Sequence, residues 1–126
     1  MLMALFFAAW AQAGGAEIVI LGGRNQEVFL GCLSCGQYHP DSIWNGSSRY
    51  GWSNDYGVWT SSGPYRSPYG PESACNASAS TPPVLVDRNG GSHGTLSVNE
   101  YAPRSVCAAP GSSHVCRALR VMCARR

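Results

Sequence analysis

The chain has 126 residues, room for one domain, with nine basic and seven acidic side chains and a net charge of +2 that is too weak by itself to argue for a nucleic-acid partner, and none is expected. All nine basic residues are Arg, so Schiff-base chemistry, a P-loop lysine and a Ser-Lys catalytic pair are excluded. The low content of large aliphatics in a chain of this size leaves a thin margin for core burial alone.

Leu2 to Trp10 is an apolar run followed by Ala11-Gln12-Ala13, a small-x-small step of the signal-peptidase type. Residues 1–13 are therefore expected to be a cleaved signal peptide, and 14–126 a single small domain that is secreted or periplasmic. The run is shorter than the roughly 20 residues of a membrane-crossing helix, so the mature chain is expected to have no transmembrane segment.

Two β-prone runs, Glu17 to Leu21 and Glu27 to Leu33, flank Gly22-Gly23-Arg24-Asn25-Gln26, which predicts a first hairpin with Val28, Leu30 and Cys32 on one face. Residues 34–83 follow, with 11 Ser, 6 Gly and 6 Pro, and with Ile43 and Val58 as their only large aliphatics. Such a composition suggests disorder, but regularly spaced aromatics oppose it. Ser42-Ile43-Trp44-Asn45, Gly57-Val58-Trp59-Thr60 and Ser73-Ala74-Cys75-Asn76 start 15 and 16 residues apart, a degenerate repeat suited to stacked turns.

A second hairpin is predicted over Pro83 to Tyr101, where Val84-Leu85-Val86 and Thr95-Leu96-Ser97-Val98-Asn99 flank Asp87-Arg88-Asn89-Gly90-Gly91. Leu96 and Val98 should face the core. Ser112 to Ala124 reads as a helix with a Ser N-cap and buried Val115, Leu119 and Met122. The expected fold is α+β: a small antiparallel sheet of two hairpins, a long Gly/Ser/Tyr/Trp-rich insertion and a C-terminal helix, stapled by disulfides.

Those staples are Cys32, Cys35, Cys75, Cys107, Cys116 and Cys123, the reading favoured for six cysteines in a small exported chain. On a helix Cys116 and Cys123 lie about 10 Å apart along the axis, too far to pair. A Cys107–Cys116 bridge around Ala109-Pro110-Gly111 is plausible and leaves Cys123 for the N-terminal half. The alternatives for Cys32-Leu33-Ser34-Cys35 are a zinc site with Cys75 and either His39 or a late cysteine, and a redox-active dithiol.

Catalytic signals are sparse. Cys35 with His39 and Asp41 is the one conceivable nucleophile set, and Asp41, Asp55, Glu72 and Asp87 form no recognisable carboxylate pair. No cofactor is expected. The best functional feature is the aromatic segment, whose Trp44, Trp52, Trp59, Tyr50, Tyr65 and Tyr69 are candidate ligand-binding residues for an envelope polysaccharide or peptide. The competing role for the same rings is packing, because that region has little else to pack with.

Asn45-Gly46-Ser47 and Asn76-Ala77-Ser78 match the glycosylation sequon, which matters only in a eukaryotic host. Residues 101–126 carry Arg104, Arg117, Arg120, Arg125 and Arg126 and no acid. They read as a solvated face whose late Arg residues complement the helix dipole, or as a weak contact for an anionic surface.

Several of these motifs together carry a resemblance: Leu30-Gly31-Cys32-Leu33-Ser34-Cys35, Asp41-Ser42-Ile43-Trp44-Asn45, Ser73-Ala74-Cys75-Asn76 and Pro82-Pro83-Val84-Leu85-Val86-Asp87. The chain over about 27–101 resembles a group of short exported bacterial proteins with Tyr/Gly/Ser repeats. The resemblance implies export and a bacterial source, and it brings no activity, cofactor or site.

Overall fold

The computed structural model describes residues 16–51, 57–60 and 63–125, so the signal-peptide expectation lies outside the described residues. Strands β1 (Ile18–Gly22), β2 (Val28–Cys32), β3 (Val84–Asp87) and β4 (Ser92–Thr95) form one antiparallel sheet in the order β2-β1-β3-β4, and helix α1 (His114–Ala124) follows. The expected α+β, disulfide-stapled fold is the observed one. β1 and β3 pair through Val19 with Val86 and Ile20 with Leu85, placing the two hairpins side by side about the middle of the sheet.

Because successive strand residues point to opposite faces, Ile20 and Leu85 enter the main core with Leu30, Leu33, Ile43, Leu96 and Leu119, while Val19 joins a second cluster with Cys32 and Cys35. The sequence pattern puts Val28, Leu30 and Cys32 on one face, and the structure corrects this. The β1–β2 register shifts between Ile20 and Leu21, and Gly31 has φ +118°. Val28 is 47% exposed, Leu30 lies in the main core, and Cys32 lies in the second cluster.

The second hairpin turns at residues 87–91 as expected, but its second strand starts earlier than the sequence pattern suggests. The Asp87 carbonyl accepts from Gly90 N, and its Oδ1 accepts from Asn89 N and Gly91 N, so β4 begins at Ser92 rather than Thr95. Leu96 is buried and Val98 packs against the core, as expected. The His93 hydrogen bond above all, with those from Gly91 and Asn89, holds the Asp87 carboxyl below its ordinary value, against a smaller desolvation effect. A depressed carboxyl contributes stability above the unfolded-state pKa and loses it as pH falls through the folded value. In urea denaturation the stability advantage of wild type over Asp87→Asn is therefore expected to shrink below about pH 4; an advantage that is flat from pH 6 to 3 would contradict this.

The ends of β2 and β4 share a pattern. Gly31-Cys32-Leu33-Ser34 and Gly94-Thr95-Leu96-Ser97 each carry a positive-φ glycine, and the next residue forms a parallel bridge to a serine, Cys32 to Ser42 and Thr95 to Ser105. A Cβ at Gly94 would stand 2.0 Å from the Arg104 carbonyl oxygen, at φ +96°. Gly94→Ala is expected to cost about 2 kcal/mol or more, from the disfavoured φ and the clash. Thermal denaturation checks it.

The described residues of the Ser/Gly/Pro-rich stretch are held by consecutive turns rather than by strands. His39 N bonds Gly36 O, Ser42 N bonds His39 O, Asn45 N bonds Ser42 O, Ser48 N bonds Asn45 O and Gly51 N bonds Ser48 O. A similar run of turns, Gly70 to Ser67, Ser73 to Gly70, Asn76 to Ser73 and Ala79 to Asn76, orders the second half. Short polar side chains close these turns. Ser42 Oγ donates to Cys35 O and accepts from Trp44 N, and Asn45 and Asn76 accept from Ser47 N and Ser78 N while donating to His39 O and Gly70 O. Both sequon asparagines are thus turn-closing residues.

Three disulfides complete the fold: Cys32–Cys35, Cys75–Cys123 and Cys107–Cys116. Helix α1 is capped by Ser113, whose Oγ accepts from Cys116 N, and it buries Cys116 and Leu119, with Val115 and Met122 packed beside them. Its last turn holds no basic residue, so the expected dipole complementation by late arginines is absent there. Arg125 is instead the C-cap, and Arg120 lies 4.0 Å from Glu100.

Candidate functional site: an aromatic cleft beside the first hairpin

The aromatic candidates separate into three environments. Trp59 is 3% exposed and donates its indole N–H to Ile43 O at 2.9 Å; it is a core residue. Trp44 is half-buried, donates to Leu33 O at 2.7 Å, and meets Trp59 with ring centroids 6.2 Å apart. With Ala118, Val121 and Met122 the two indoles line an apolar groove of about 210 Å³ against α1. Trp52 lies outside the described residues, and Tyr69 projects into solvent.

Tyr50 and Tyr65 come together at the second environment, an open cleft of about 340 Å³ whose other walls include Phe29, Arg49, Pro64 and Thr60. Its floor is built by β2: the glycine freedom at Gly31 lets the turn segment approach the strand, and the Phe29 ring meets Tyr50 edge-on at 5.1 Å. Gly57, at φ +95°, lies beside Tyr50, where a Cβ would stand 3.1 Å from the Leu30 carbonyl oxygen. Arg49 lies 5.7 Å over the Tyr50 ring, a cation–π contact that keeps a guanidinium at the cleft. Burial, and then the nearby Glu72 charge, push the Tyr65 phenol above its ordinary value, so this ring presents a neutral hydroxyl over a wide pH range. Thr60 Oγ1 is buried with no hydrogen-bond partner.

The arrangement suits recognition: flat apolar faces, a phenol donor and one fixed cation. Phe29 and Arg49 are cleft residues that the sequence reading did not single out. Arg49 adjoins Tyr50 in sequence and was within reach, whereas Phe29 alternates with residues assigned to the core and becomes visible only through the β2 register shift.

The cysteine-centred alternatives have a different geometry. Cys75 is bonded to Cys123 rather than grouped with Cys32 and Cys35. Glu17, Cys35 and His39 offer ligand atoms within 4.8 Å of one another, but the Cys35 sulfur is bonded to Cys32 and is no thiolate. His39 Nδ1 accepts from Asp41 N, which puts a neutral ring's proton on Nε2, 3.2 Å from Glu17 Oε2. Glu17 also pairs with Arg88, which lies 3.9 Å from Asp41. The set is an ion-pair cluster tying β1 and the β3–β4 turn to the 36–41 turn.

The C-terminal arginines are partly engaged. Arg104 and Arg117 donate to the Ser92 and Ser112 carbonyls, and Arg66 of the aromatic segment donates to the Arg125 and Trp59 carbonyls. No helix among the described residues is long and apolar enough to cross a membrane, and three disulfides are compatible with an extracellular location. No known protein family, characterised protein or solved structure matches the chain.

Proposed function

We propose that the protein is a non-catalytic binding module exported to the bacterial cell envelope, taking a carbohydrate or a peptide in the cleft between β2 and the aromatic turns. The observation that carries this reading is the convergence of Tyr50, Tyr65 and Phe29 with Arg49 on one open cleft, while Trp59 is committed to the core. Amphipathic rings stack on sugar C–H faces or peptide side chains, and the phenol and guanidinium satisfy polar groups at the rim.

Calorimetric titration with soluble peptidoglycan fragments and short peptides tests it. Saturable binding by wild type, weakened several-fold by Tyr65→Phe, is the expected result. The Phe variant keeps the ring that packs against the core and removes only the hydroxyl. Binding unaffected by both Tyr65→Phe and Arg49→Ala, or no binding at all, would overturn the assignment.

A further inference from the structure

Away from the cleft, three tyrosines stand almost wholly in solvent: Tyr38, Tyr69 and Tyr101 are 88%, 89% and 88% exposed. They occupy one position of a motif that occurs three times, Tyr38-His39-Pro40-Asp41-Ser42, Tyr69-Gly70-Pro71-Glu72-Ser73 and Tyr101-Ala102-Pro103-Arg104-Ser105. The local structure repeats with the sequence. In each copy the serine N–H bonds the carbonyl of the residue after the tyrosine, His39, Gly70 or Ala102, at 3.1, 3.3 and 3.1 Å. In each the buried serine Oγ accepts from the backbone N–H two residues on, that of Trp44, Cys75 or Cys107.

Serine and proline therefore have structural work in every copy. The serine closes the turn and proline fixes its φ. The tyrosine ring stands outside the core, in solvent. Yet the ring is kept while its neighbours diverge, His, Gly and Ala at one position and Asp, Glu and Arg at another.

That divergence also describes the partner. The variable position changes from Asp41 and Glu72 to Arg104, so charge is not what the three copies share, and a polyanion would be repelled at two of them. Rings this exposed lie in no desolvated pocket of the kind a peptide anchor fills. What recurs is a flat apolar face with a hydroxyl at its edge, which matches the C–H face of a pyranose ring and its flanking hydroxyls. One such contact is weak, and three on one molecule gain strength only against a ligand that repeats.

We propose that Tyr38, Tyr69 and Tyr101 are three equivalent stacking sites for an uncharged polysaccharide. The three rings are not among the residues that line the cleft, so these sites do not depend on it.

The test is retention on insoluble chitin and cellulose, measured by depletion from solution for wild type, the three single Tyr→Ala variants and the triple variant. Unfolding curves of all the variants should superimpose on wild type, because the rings stand almost wholly in solvent. The expected result is retention insensitive to salt, several-fold weaker in each single variant and about 100-fold weaker or more in the triple variant. Retention that the triple substitution leaves intact, retention abolished by salt, failure of wild type to bind either polymer, or tyrosine-dependent binding to a polyanionic glycan or a protein instead would each overturn it. The triple variant should keep fragment binding in the cleft, and Tyr65→Phe should keep polymer retention, so the two assignments fail separately.

Discussion

Replacing Cys75 and Cys123 together by alanine is expected to lower stability by about 4 kcal/mol, the largest loss among the three disulfides. The bridge joins residues 48 apart in sequence, whereas Cys107–Cys116 spans 9 and Cys32–Cys35 spans 3. Loop-closure entropy grows with the logarithm of the loop, giving about 3 and about 2 kcal/mol for the shorter two. A domain of this size has only about 5–15 kcal/mol to lose, so the double variant should melt more than ~10 °C lower. The same bridge fastens the end of α1 to the aromatic segment, beside the hydrogen bond from Arg66 to the Arg125 carbonyl. Urea denaturation of the three double variants gives the order directly, and a Cys32/Cys35 variant that proved the least stable would contradict it.

Trp59→Ala should be nearly as damaging, at about 3–5 kcal/mol, because the indole is enclosed among Ile43, Val58 and the helix and its N–H satisfies the Ile43 carbonyl. Tyr69→Ala, on a ring in solvent, should change stability by no more than about 0.5 kcal/mol. The pair separates the two roles that composition leaves entangled. Chemical denaturation in which Trp59→Ala cost under about 1 kcal/mol would mean that this indole is not a packing residue.

Much of the scaffold was legible because its signals are local. Asn89-Gly90 marks a turn, Ser113 caps α1, and Val84-Leu85-Val86 has the composition of a buried strand. Axial spacing alone separates Cys116 from Cys123, and the structure gives each a partner elsewhere. The faces of β2 were not legible, since period-two reasoning fails where a register shift and a positive-φ glycine intervene.

The candidate site was legible only as a set of rings. In a segment built from successive turns no hydropathy period says which ring points inward, so Trp59, Tyr50 and Tyr69 looked equivalent in sequence and are buried, half-buried and exposed in the structure. The Tyr-x-Pro-x-Ser motif was present to be read at all three positions. It is overshadowed in the sequence by the more conspicuous Trp spacing, and its meaning depends on the exposure of the ring.

A division of the aromatic side chains between packing and recognition has a direct spectroscopic signature. The most direct measurement is aromatic-resolved NMR of the native protein during titration with soluble peptidoglycan fragments and neutral oligosaccharides. The Tyr50, Tyr65 and Phe29 ring signals are expected to move with saturable ligand dependence while those of Trp59 stay fixed. Ring signals that are all unmoved by every ligand, or a Trp59 response as large as that of Tyr65, would contradict it.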